Sequence, residues 1–246
     1  MIQTLWLIGI GTGAPSHVTG EGMAALRDAA IILVPHKGDG KDDLAELRHR
    51  IIRASGSDAR ILPFDYPERD PGVPYLERVE KWHDEIARRW QKTVGTIHPD
   101  GPVALLVWGD PSLYDSTIRI AQRLEPQPDI RIVPGITAIQ ALTAAHAIPL
   151  NAVNGPVHIT TGRRLRDSGW PDGVQRVVVM LDGDASFQTL PAANLTIWWG
   201  AYLGMPEQVL DHGPVAAIRD RIIATRAAAR QRHGWIMDTY LLSKET

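Results

Sequence analysis

The first half of the chain alternates between short apolar runs and longer stretches of helical period. Runs at 5–8, 31–34, 61–62, 103–107 and 130–133 have the length and character of buried strands. Between them, Met23, Leu26 and Ala30 mark one helical face and Leu44, Leu47 and Ile51 a second. Tyr75, Val79, Trp82 and Ile86 mark a third, at spacings of four, three and four. Asp43 with Glu46 has the form of a capping box opening the second helix. Strands that alternate with helices imply βαβ units, and hence a parallel sheet covered on both faces. Residues 67–74 are rich in turn formers and read as a surface loop.

The pattern changes near Pro134-Gly135. Beyond it, runs at 157–161, 176–181, 195–199 and 235–242 read as strands, and the stretches 137–147, 206–210 and 215–230 as helices. Polar residues interrupt these strands at His158, Thr160 and Asp238, which suits a mixed or antiparallel sheet with one face partly exposed. The expected architecture is two α/β domains. Residues 1–136 would form an N-terminal domain on a mostly parallel sheet, and 137–246 a C-terminal domain on a mixed or antiparallel sheet, with the active-site cleft between them.

Composition narrows the chemistry. A formal net charge of −2 argues against a generic nucleic-acid binder, although it leaves room for a small anionic ligand. The absence of cysteine removes disulfides, iron–sulfur clusters, thiolate zinc sites and Cys nucleophiles, and fits a reducing cytoplasm. Residues 1–10 are apolar but short, uncharged and followed by glycines, so they read as a strand and not as a signal peptide. No window approaches the roughly 18 apolar residues of a membrane span, and the expected protein is soluble.

Three of the predicted strands end in glycine breaks. The run 103–107 stops at Trp108-Gly109-Asp110-Pro111, with Ser112, Leu113, Tyr114, Asp115 and Ser116 following. A carboxylate, bare backbone and a rigid turn thus stand at the carboxyl end of a central strand, where open α/β sheets bind ligands. Asp115 or Ser116 would serve equally as a helix cap. The first strand ends in Gly9-Ile10-Gly11-Thr12-Gly13-Ala14-Pro15, whose glycines admit a close ligand and whose following helix start favours an anion or carboxylate. It also fits a dinucleotide fingerprint, but the second strand ends Val34-Pro35-His36-Lys37, without the acid that would grip a ribose. The fifth strand breaks at Val133-Pro134-Gly135-Ile136-Thr137-Ala138, where Thr137 either caps a helix or faces a ligand. Three such breaks on one sheet edge point to a shared cleft.

Other constellations are negative: there is no P-loop, no His-Glu-x-x-His and no Gly-x-Ser-x-Gly. His36, Asp39, Asp42 and Asp43 lack metal-ligand spacing, and no metal is expected. Thr160-Thr161-Gly162-Arg163-Arg164 follows a strand; it is either an exposed basic loop or a pair of guanidinium groups suited to carboxylates. Most of the tryptophans belong to the core, while Trp108 stands where a flat ligand could stack.

The order Gly-x-Gly-x-Gly-x-Pro, Gly-Asp-Pro-x-x-Tyr and Val-Pro-Gly-Ile-Thr-Ala closely resembles the tetrapyrrole methylase family over essentially the whole chain. Thr12-Gly13-Ala14-Pro15 departs from the Pro-Gly-Asp-Pro common there, which keeps the backbone role and removes any acid at position 14. The resemblance implies S-adenosyl-L-methionine as methyl donor and a homodimer in the cytoplasm. Carried over by position, the donor would meet Gly11, Pro15, Trp108, Gly109, Asp110, Leu113, Ser116, Thr137 and Ala138, with Met180 or Leu181 facing its adenine. Four further segments, at 65–70, 107–117, 156–164 and 233–242, resemble members that methylate ring carbon 1 of precorrin-5 and release its acetyl group as acetate.

Methyl transfer from a sulfonium is downhill and needs mainly alignment. Acetate release needs a general base and an oxyanion partner as well. The base is expected among His36, Asp110 and Tyr114, with Lys37 or Arg163 assisting the oxyanion or binding carboxylates. A lone histidine at a strand end is more often structural. The anionic tetrapyrrole is expected to meet a positive rim at His36-Lys37 and at Arg163, Arg164 and Arg166. Alternatives are a family member acting on another ring carbon or on a protein or RNA target, a non-catalytic precorrin-binding protein and, more remotely, a nicotinamide oxidoreductase.

Overall fold

The computed structural model describes residues 1–36, 42–68, 70–72, 74–97 and 99–244. The chain divides into two compact units, Met1–Thr137 and Ala138–Thr246.

The first unit runs β1 (Thr4–Gly9), α1 (Gly20–Asp28), β2 (Ile31–His36), α2 (Asp42–Ser55), β3 (Arg60–Asp65), α3 (Tyr75–Gly95), β4 (Val103–Val107), α4 (Thr117–Ala121) and β5 (Asp129–Val133). All pairings are parallel, in the order β3-β2-β4-β1-β5. β1 and β4 lie in the middle and are buried along nearly their whole length, as unbroken apolar runs require when helices cover both faces. One core layer joins Leu5, Leu7, Leu33, Val103 and Leu105 to Ile86, Trp90 and Val94 of α3. The Thr19 side chain accepts the Gly22 N–H at 3.0 Å and caps α1. Asp43, expected to open the second helix, lies inside α2, which starts at Asp42, and Glu46 pairs with Arg53.

Register shapes the carboxyl edge of this sheet. β1 pairs with β4 as far as Gly9–Val107, and β2 with β3 as far as His36–Asp65. β2 pairs with β4 only as far as Leu33–Leu105. The end of β2 therefore follows β3 and leaves β4.

The second unit contains α5 (Ala138–Ala145), β6 (Val157–Thr161), α6 (Gly162–Ser168), β7 (Arg176–Met180), β8 (Leu195–Ala201), β9 (Val209–Pro214), α7 (Val215–His233) and β10 (Asp238–Lys244). Its sheet has the order β6-β7-β10-β8-β9, with β6 parallel to β7 and the other neighbours antiparallel. The mixed sheet expected of the second half is thus present. The helix expected at 206–210 is not: Val209 and Leu210 open an edge strand whose burial alternates residue by residue, and which ends at Pro214. The last strand starts at Asp238, not near residue 235. Of the stretch 160–164, Thr160 and Thr161 end β6, and Gly162, Arg163 and Arg164 open α6, which the Thr161 side chain caps.

Candidate functional site

The three glycine breaks meet. A Cβ on Gly135 would lie 2.1 Å from the Gly109 carbonyl oxygen, and one on Gly9 would lie 2.6 Å from the Gly135 nitrogen. Only hydrogen fits at these positions, because backbone meets backbone. Gly11 and Gly109 exchange hydrogen bonds, Gly109 N–H to Gly11 O at 2.8 Å and Gly11 N–H to Gly109 O at 3.3 Å. Both have positive φ, +73° and +61°. Pro15 opens a short 3-10 turn folded back on Gly11, and His17 of that turn meets the Thr12 hydroxyl at 3.1 Å. The loops after β1, β4 and β5 are therefore one locked assembly.

Asp110 locks it further. Its Oδ2 accepts the Gly135 N–H at 2.9 Å, and its Oδ1 accepts both the Ser112 N–H and the Ser112 hydroxyl. Burial alone would raise its pKa, but these hydrogen bonds prevail and hold it below the usual carboxylate value. Such a carboxylate organises loops and is poorly suited to taking up a proton. Tyr114 follows in the left-handed region, φ +51°, with 43% of its surface exposed. Partial burial raises its hydroxyl's pKa, so it remains a donor at neutral pH. The Leu113 N–H returns to the Asp110 carbonyl. Asp115, and not Ser116, caps α4 through the Thr117 N–H at 2.6 Å.

Farther along the same edge, His36 ends β2 beside Asp65, which ends β3. Their Nδ1 and Oδ1 stand 3.1 Å apart, with both side chains well exposed. Asp65 was not among the expected site residues, although an acid ending the third strand was the available signal. Lys37 and Asp39 lie outside the described residues. Among the described residues no group of three His, Asp or Glu side chains is arranged to hold a metal ion.

In the second unit, Met180 ends β7, and Leu181 follows at φ +52° with 66% of its surface exposed. An exposed leucine in that conformation is costly and needs support. The buried Asp182 supplies it, accepting hydrogen bonds from Tyr240 Oη (2.6 Å), Ser186 Oγ (2.8 Å), Ser186 N–H (2.5 Å) and Asp184 N–H (3.1 Å). Gly162 packs so closely that a Cβ there would meet the Asp182 carboxylate at 2.2 Å. Burial, then Asp182, push the Tyr240 pKa well up. Met180 pairs in register with Thr161, so the Leu181 turn and the start of α6, with Arg163 and Arg164, share one edge of the β6–β7 pair. Arg166 is committed to Asp184.

A sequence profile of tetrapyrrole (corrin/porphyrin) methylases matches residues 4–219. A curated Sinorhizobium protein, precorrin-6A synthase (deacetylating), is 45% identical over 99% of this chain and 96% of its own length. The crystal structure of a cobalamin-synthesis-related protein, CobF, from Corynebacterium diphtheriae superposes with a TM-score of 0.85 at 40% identity, covering 99% of each chain. At the level of fold, a uroporphyrin-III C-methyltransferase from Thermus thermophilus complexed with S-adenyl homocysteine gives a TM-score of 0.60 at 16% identity, over 98% of this chain and 97% of that one. The chain belongs to the tetrapyrrole methylase family and is a methyltransferase.

Proposed function

We propose that the chain acts in cobalamin biosynthesis, methylating ring carbon 1 of precorrin-5 at the expense of S-adenosyl-L-methionine and releasing the acetyl group as acetate. The observation that carries this reading is the 45% identity to the deacetylating precorrin-6A synthase over almost both whole chains. The bare backbone that the locked glycine loops gather at the carboxyl end of β1 and β4 supports a close-lying donor there. On the family resemblance, Gly11, Pro15, Trp108, Gly109, Asp110, Leu113, Ser116, Thr137 and Ala138 would hold it, with Met180 or Leu181 facing the adenine. When bound, S-adenosyl-L-methionine supplies the methyl group.

His36 is the base this reading favours, supported by its hydrogen bond to Asp65 and by the engagement of both Asp110 oxygens. Its Nε2 takes a proton from the water that adds to the acetyl carbonyl, while Asp65 orients the ring and stabilises the imidazolium. Tyr114 donates to the developing oxyanion, and Arg163 binds substrate carboxylates. The bond between ring carbon 1 and the acetyl carbon then breaks, leaving its electron pair on the ring carbon that is methylated. The water oxygen departs in acetate.

The same reading makes the enzyme a cytoplasmic homodimer. Incubation with precorrin-5 and S-adenosyl-L-methionine should yield acetate and methylated product in equal amounts. Methylation without acetate would assign the chain to another ring carbon.

A further inference from the structure

Arg48 lies on α2, and among the described residues it is the one arginine or lysine that is buried, at 9% exposure. Its Nη1 donates to the Leu44 carbonyl one turn back in the same helix, at a long 3.3 Å. Its Nε is sealed from solvent and has no hydrogen-bond partner. Tyr66 and Asp115 act on it only through space, and burial lowers its pKa. Its guanidinium lies over the Trp108 ring, 4.9 Å from the centroid.

Arg226, a half-buried guanidinium on α7, makes a contrast. Arg226 donates through Nε to Asp238 at 2.9 Å, through Nη2 to the Asp182 carbonyl at 2.5 Å and through Nη1 to the Gly183 carbonyl at 3.0 Å. That is a cation satisfied by its own fold. Arg48 is a sheltered cation without a paired carboxylate, and a π face compensates such a charge only in part. Its place is informative as well. β2 stops pairing with β4 at Leu33–Leu105, and Arg48 reaches Trp108 just beyond, at the head of the Gly109-Asp110-Pro111 loop.

We propose that Arg48 is a binding residue for a ligand carboxylate at the carboxyl edge of the first sheet, its planar guanidinium held in place by Trp108 and its open N–H groups completed by the ligand. The inference rests on the function proposed above, because both reactants of that reaction carry carboxylates. These are the amino-acid end of the donor and the acetate and propionate arms of the ring.

Calorimetric titration of wild type and Arg48→Met with two pairs of probes tests this inference. One pair is S-adenosyl-L-homocysteine and its methyl ester; the other is uroporphyrin and its amide. Wild type should bind the free acid more tightly than its neutral partner in at least one pair, by roughly ten- to a hundredfold. Arg48→Met should abolish that preference while leaving affinity for the neutral partner within about twofold. The pair affected identifies which carboxylate is bound. Arg48→Gln, which can still donate to Leu44, serves if the methionine variant does not fold. The inference is overturned if wild type shows no preference in either pair, if the variant keeps the preference, or if acid and neutral forms weaken equally. Wild type that binds none of the probes would remove the functional reading together with the inference. Normal wild-type binding with unaltered variant preference removes the inference alone.

Discussion

Asp110 is a working carboxylate of an unexpected kind. It reads in the sequence as a candidate base, yet two hydrogen bonds from Ser112 in its own loop and one from Gly135 in the loop after β5 occupy both oxygens. Asp110→Ala should cost about 1–3 kcal/mol in urea denaturation and weaken S-adenosyl-L-homocysteine binding, since the Gly135 N–H loses its acceptor. The pH dependence follows from the depressed pKa. The carboxylate's contribution is complete above the unfolded value of about 3.9 and is lost as pH falls through the lower folded value. Denaturation between about pH 2 and 5 should therefore show a steeper loss in wild type than in the alanine variant. The glycines give a matched contrast. Gly135→Ala drives a Cβ into a backbone oxygen and should abolish donor binding. Gly95→Ala, with nothing within 4 Å at the end of α3, should raise stability by roughly 0.5–1 kcal/mol.

At the scale of elements, the turn after β7 depends on three others. Asp182 collects Tyr240 from β10 and Ser186 from the following 3-10 turn, while Arg226 of α7 ties the Asp182 and Gly183 carbonyls to Asp238. Tyr240→Phe should cost about 1–2 kcal/mol and Asp182→Ala more, because the alanine leaves several buried donors unmatched. A double-mutant cycle should give a coupling of roughly 0.5–3 kcal/mol, and additive costs would show that the two side chains act independently. This network had no local signature. Asp182-Gly183-Asp184 reads as an ordinary polar turn, and its partner tyrosine comes from the last strand. Elsewhere local pattern served unevenly. β4 has the bounds its apolar run suggests, because a run buried on both faces is unambiguous. Residues 206–210 misled because only Val209 and Leu210 belong to an edge strand, which half-buries alternate residues and leaves too few apolar positions to distinguish it from a short helix.

For the whole molecule, light scattering should give a mass of about twice the 27.1 kDa of one chain. A monomeric mass would remove the homodimer from the proposed function. What the sequence determined by itself was the kind of architecture and where its strands break. Uninterrupted apolar runs separated by helical periods leave a chain few ways to bury its faces, and Gly-Asp-Pro or Pro-Gly ends a strand wherever it occurs. Only the tertiary structure decided which breaks touch. The order β3-β2-β4-β1-β5 brings Gly9, Gly109 and Gly135 into backbone contact, sets Asp65 against His36 and delivers Arg48 to Trp108. Sheet order and the splay of β2 from β4 are set by the packing of the whole unit, and distant residues become partners through them.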